Sequence, residues 1–87
     1  MWEIKFDKNA DGWCIYDELN RMFISQQFDY LKLTCQHYGY LYLNRIYESF
    51  GAKWDHERYN HCLTREHGFN LSYEVVGECE YVIHITI

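Results

Sequence analysis

No stretch of this chain approaches the ~20 consecutive apolar residues needed to cross a bilayer, which excludes a membrane-spanning helix. Positive charge is also scarce: 8 Lys and Arg stand against 13 Asp and Glu, for a net charge of −5. Affinity for nucleic acid comes mostly from basic side chains neutralising phosphates, so nucleic acid is disfavoured as a partner. The four cysteines, Cys14, Cys35, Cys62 and Cys79, include no C-x-x-C pair, and no basic region followed by an apolar run stands at the N-terminus. The expectation is reduced thiols in a cytoplasmic protein, not a secreted disulfide framework. Repeats, low-complexity tracts and linkers are lacking as well.

What is present is apolar and aromatic. The 87 residues are 48% hydrophobic and 20% aromatic, a globular composition that suits one domain burying about 60–65% of the unfolded chain's surface. Trp2, Ile4 and Phe6 alternate with Glu3 and Lys5, so residues 1–6 read as a strand. Residues 16–23 read as a short helix with Leu19, Met22 and Phe23 on its inner side. Ser25 offers a cap for Phe28, Leu31, Cys35 and Tyr38 at helical spacing, with Gly39 as the stop; whether these two segments merge is left open.

Tyr40 to Tyr42 reads as extended. Leu43, Ile46, Tyr47 and Phe50 then repeat as a short helix ending at Gly51, and residues 52–70 show the least regularity. Leu71, Tyr73 and Val75 alternate, Gly77-Glu78 suits a two-residue turn, and Tyr81, Ile83, Ile85 and Ile87 alternate again, which is a β-hairpin. The N-terminal strand is expected to join it. The fold class is therefore α+β: a small antiparallel sheet packed against two or three short helices.

Between the first strand and the first helix, Asp7, Asn9, Asp11, Gly12, Trp13 and Glu18 occupy positions one, three, five, six, seven and twelve of a twelve-residue calcium loop. Residues 6–19 thus resemble an EF-hand loop. The resemblance implies a calcium site with Asp7, Asn9, Asp11 and Glu18 as side-chain ligands and a carbonyl from Trp13. Two departures stand beside it: Cys14 takes the β-branched position, and a strand replaces the entering helix. A tight connection wants the same Asp, Asn and Gly for side chain to backbone bonds and positive φ, so both readings stay open.

The run Tyr38-Gly-Tyr-Leu-Tyr-Leu-Asn-Arg-Ile-Tyr-Glu-Ser-Phe-Gly51, with His67-Gly68-Phe69 further on, carries a second resemblance. Over residues 16–69 the chain is similar to small uncharacterised phage, prophage and mobile-element proteins of Gram-positive bacteria. The resemblance implies an accessory or structural role without known catalytic residues.

Other constellations yield less. His56-Glu57-Arg58-Tyr59-Asn60-His61 looks like a zinc-protease signature with one residue too many, which puts the histidines ~140° apart round a helix. His61, Cys62, His67 and Cys79 fit no common zinc spacing, and adjacency alone does not make His61 the base for a Cys62 nucleophile. The nine tyrosines, with Tyr38, Tyr40, Tyr42 and Tyr47 close together, suit an interface, as would a C-terminal strand at a sheet edge. The sequence thus reads as a small non-catalytic interaction or structural protein with a protein partner or as a homo-oligomer; a calcium-binding module is the alternative.

Overall fold

The computed structural model describes residues 2–52 and 61–87. The fold is α+β, and the described residues form two helices and two antiparallel sheets. Strand β1 (Trp2–Phe6) is followed by helix α1 (Asp17–Tyr38), strand β2 (Tyr40–Tyr42), helix α2 (Leu43–Ser49), and strands β3 (Cys62–Thr64), β4 (Asn70–Gly77) and β5 (Glu80–Thr86). The larger sheet runs β1-β5-β4; the smaller pairs β2 with β3.

The alternation of the N-terminal and C-terminal segments turns into pairing register. Ile4 lies opposite Ile83, and Phe6 opposite Tyr81. Leu71 and Tyr73 lie opposite Ile85 and Ile83 on the other side. One face of the sheet is therefore apolar, while Glu3, His84 and Glu74 line the opposite face, His84 standing 3.5 Å and 2.9 Å from the two carboxylates. The apolar face meets both helices through a relay of rings. Phe6 stacks on Phe23 of α1 at 5.4 Å and meets Phe50, at the end of α2, edge-on at 6.0 Å. Phe28 of α1 touches Phe50 and Tyr73 in turn, a geometry that adds to plain area burial.

Four sequence expectations are corrected. Ser25 is not a cap: the two segments whose merging the sequence left open are one helix of 22 residues, and Ser25 is exposed in its interior. The 3.6-residue period runs through Ser25 unbroken, and packing of the Ile24 and Leu31 face outweighs a local capping preference. Leu19 and Met22 are 52% and 56% exposed and not on the inner side; Asn20 is fully buried there instead. The C-terminal strand β5 is central, so β1 and β4 form the edges. Finally, Gly77 pairs with Glu80, which makes Glu78 and Cys79 the turn; Val76 is an extra residue on β4 that shifts the phase by one.

The helix stops fall where glycine allows them. Gly39 adopts φ 87°, and its N–H closes on the Cys35 carbonyl at 2.8 Å, ending α1 in a left-handed cap. The Arg65 guanidinium also donates to the Gln36 carbonyl at 2.8 Å, tying β3's exit to the last turn of the helix. Within the region expected to be irregular, β3 pairs Cys62, Leu63 and Thr64 with β2 and buries Leu63.

Candidate functional site

The connection of residues 7–16 is shaped by local bonds before anything else. The Asp7 carboxylate accepts from the Asn9 N–H at 3.0 Å, and its carbonyl accepts from Ala10 at 2.9 Å, an Asx-type turn. Gly12 takes φ 87°, and a Cβ there would lie 2.8 Å from the Phe23 ring. Only glycine fits both the backbone angle and the contact. Asp11 in turn lies against Gly51 at the end of α2.

The calcium-loop residues are therefore placed as follows. Asp7, Asn9 and Asp11 sit on this turn between β1 and α1; Trp13 turns its indole to donate to the Cys79 carbonyl at 2.8 Å. Glu18 lies on the first turn of α1, along an open groove of about 650 Å³ that it shares with Ile15, Tyr16, Arg21, Val75 and Cys79. Among the described residues no three His, Cys, Asp or Glu side chains gather as a metal-binding group. His61 packs on Trp2 with ring centroids 4.5 Å apart, Cys62 lies on β3, and His67 follows it in a turn. Cys79 is at the hairpin tip with its thiol on the Ile15 carbonyl at 3.5 Å. The signature beginning at His56 lies outside the described residues apart from His61. All four cysteines are free.

A polar network joins this connection to helix and hairpin. The buried Asn20 side chain accepts from the Cys14 N–H at 3.0 Å and donates to the Cys14 carbonyl at 2.8 Å, pairing one backbone residue as a neighbouring strand would. Tyr81 donates its hydroxyl to Asp17, which also holds Arg21 at 2.8 Å. Burial, and then donation to Asp17, push the Tyr81 phenol up to about 12. The Tyr81 hydroxyl and then Arg21 hold the Asp17 carboxyl below its ordinary range. These groups stabilise one another at the start of α1, where the carboxylates also suit the helix dipole. Burial likewise raises the Cys35 thiol, which lowers its nucleophilicity at neutral pH.

The outer surface contrasts with this paired network. Leu19, Met22, Tyr30 and Leu33 of α1 are each at least half exposed. Tyr38, Tyr40 and Tyr42 are exposed too, the last two forming an edge-to-face pair at 5.6 Å. Tyr47, grouped with them in the sequence, is buried in the core. Leu19 and Met22 read as inward in the sequence because large apolar side chains suggest a core face. The 3-4-4-3 spacing of Leu19, Met22, Tyr30 and Leu33 through Gln26, repeated apart from the Ile24 and Leu31 face, is the signal that separates two apolar faces on one helix.

No family model, curated protein or solved structure matches the chain.

Proposed function

We propose that the chain is a small, non-catalytic interaction or structural module, acting in the cytoplasm as an accessory protein of a phage or mobile element. The observation that carries this reading is the exposed apolar surface along α1, with Leu33 64% exposed; Tyr38, Tyr40 and Tyr42 form a second exposed aromatic group at the end of that helix and on β2. Single exposed apolar residues are ordinary on soluble domains, but runs of aromatic and aliphatic side chains on one element mark contact surfaces. Tyr81 and Asp17, whose ionisation is shifted in opposite directions, are bonded to each other, which favours a structural role for both. Free thiols support the compartment, and the helix ending at Tyr38-Gly39, the brief extended segment and the short second helix support the mobile-element resemblance.

The test is a photo-reactive amino acid at Leu33 or at Tyr42 in the producing cell, with Lys5 on the far sheet face as the control position. A discrete adduct of fixed mass at Leu33 or Tyr42, absent at Lys5, is expected. Adducts at neither position would remove the reading.

The alternative is a calcium module on Asp7, Asn9, Asp11, Trp13 and Glu18. In its favour, Gly12 already holds the positive φ that a glycine at the sixth loop position supplies.

A further inference from the structure

Gly39 turns the chain from α1 straight into β2, and β3 pairs on β2, so two cysteines far apart in sequence are brought together. Cys35 lies in the last turns of α1, and Cys62 opens β3 opposite Tyr42. Both thiols donate to one acceptor, the Leu63 carbonyl, Cys35 at 4.0 Å and Cys62 at 3.8 Å. Their sulfurs are therefore no more than about 8 Å apart, and rotation about each Cα–Cβ bond can carry them toward the ~2 Å of a disulfide. Cys14 and Cys79, by contrast, donate to different carbonyls, those of Tyr16 and Ile15. We infer that Cys62 and Cys35 form a two-cysteine redox site, at which Cys62 takes up a low-molecular-weight disulfide and Cys35 resolves it into an internal bond between α1 and β3.

The two thiols differ in access, which fixes the order of events. Cys62 is exposed, whereas Cys35 is 3% exposed in the core, so a dissolved oxidant reaches Cys62 first. In the first step the Cys62 thiolate attacks a small disulfide, its sulfur bonding to one half while the other half leaves as a thiolate and takes up a proton. In the second, the Cys35 thiol loses its proton and its sulfur attacks that of Cys62, expelling the remaining half as a second small thiol. One small disulfide is reduced to two thiols, and two cysteines are oxidised to one bond. Burial, and then the neighbouring Cys62, hold the Cys35 thiol up, while Arg65 and Lys32 act against them. Capping leaves Cys62 uncharged and removes its share of that effect, and proximity offsets the small thiolate fraction that burial leaves. The bond closes the segment that carries the exposed Tyr38, Tyr40 and Tyr42. In a reducing compartment it forms only when the pool of small disulfides rises, which is how cytosolic redox sites behave.

The test treats the folded protein with oxidised glutathione, blocks the remaining thiols, digests with trypsin without reductant and weighs the peptides. Cleavage after Lys32, Arg45, Arg58 and Arg65 puts Cys35 in residues 33–45 and Cys62 in residues 59–65. The expected product is these two peptides joined, released again by dithiothreitol, with glutathione on Cys62 as the intermediate. In Cys35→Ala that intermediate should accumulate at least about tenfold above its wild-type level, because the resolving thiol is gone. In Cys62→Ser, Cys35 should stay unmodified while the protein is folded. Should either variant lose its circular dichroism signal, the wild-type peptide map decides alone. A wild type that stops at glutathione on Cys62 overturns the inference. So does a bond between Cys14 and Cys79 that forms ahead of the one between Cys35 and Cys62, or a bond between Cys35 and Cys62 that appears only in urea.

Discussion

The two faces of α1 carry similar side chains to opposite ends. Ile24, Leu31 and Cys35 are buried against the rest of the core, while Leu19, Met22, Tyr30 and Leu33 face solvent along the same 22 residues. Folding accounts for the first set and leaves the second unused. An apolar stripe that packs on nothing among the described residues is the kind of surface that contact sites are built from, which is what the proposed function draws on. Composition alone does not distinguish core from interface; position on the helix does.

The largest expected contrast lies between two leucines two residues apart. Leu31→Ala should lower unfolding free energy by about 2–5 kcal/mol, as for a fully buried leucine. Leu33→Ala should stay within about 0.5 kcal/mol for the monomer at low concentration. Urea titrations of both variants decide this, and equal losses would erase the distinction between the faces.

Asn20 sharpens the comparison because it is the polar member of the inner face. Asn20→Ala strips the Cys14 N–H and carbonyl of their partners. The expected loss is about 2–4 kcal/mol by the same titration. An unchanged midpoint would show that water replaces the amide freely.

Gly12→Ala comes next. The positive φ and the Phe23 contact predict a loss of about 1–3 kcal/mol. The same melting experiment addresses calcium. If Asp7, Asn9, Asp11 and Glu18 hold the ion, calcium should raise the midpoint and alter Trp13 fluorescence, and Asp7→Ala should abolish both effects. With the Asx turn as the loop's only role, calcium changes neither.

The smallest effect is alkaline. Tyr81 is held neutral to about 12 in the folded chain, above the ~10 of a free phenol. The folded state therefore keeps a proton that the unfolded chain releases, so this stabilisation is complete below about pH 10 and is lost as pH rises toward 12. Ultraviolet titration should show a late tyrosine ionisation that Tyr81→Phe removes. Normal ionisation of all nine tyrosines would show that Tyr81 is not held by Asp17.

Much of the fold was legible in the residues. The alternation of Trp2, Ile4 and Phe6, and of Tyr81, Ile83 and Ile85, became the sheet, and the glycines at 39 and 51 follow the two helices. What escaped were features set by tertiary competition. A serine at 25 looks like a cap until neighbours on both sides pack against one core. The turn moved by one residue because the bulge at Val76 appears only once β4 has a partner. Asn20 points inward because the unpaired backbone of Cys14 needs it, a demand that arises only when the connection folds over α1. The outer stripe was legible as spacing but not as orientation, since both apolar faces share one period and only packing chooses between them.

The most direct test is the melting temperature of dilute wild type, Leu31→Ala and Leu33→Glu, because only the inner face belongs to the fold. Leu31→Ala should melt lower, and Leu33→Glu should match the wild type. A Leu33→Glu protein that melts as low as Leu31→Ala would contradict the division of labour between the two faces of α1.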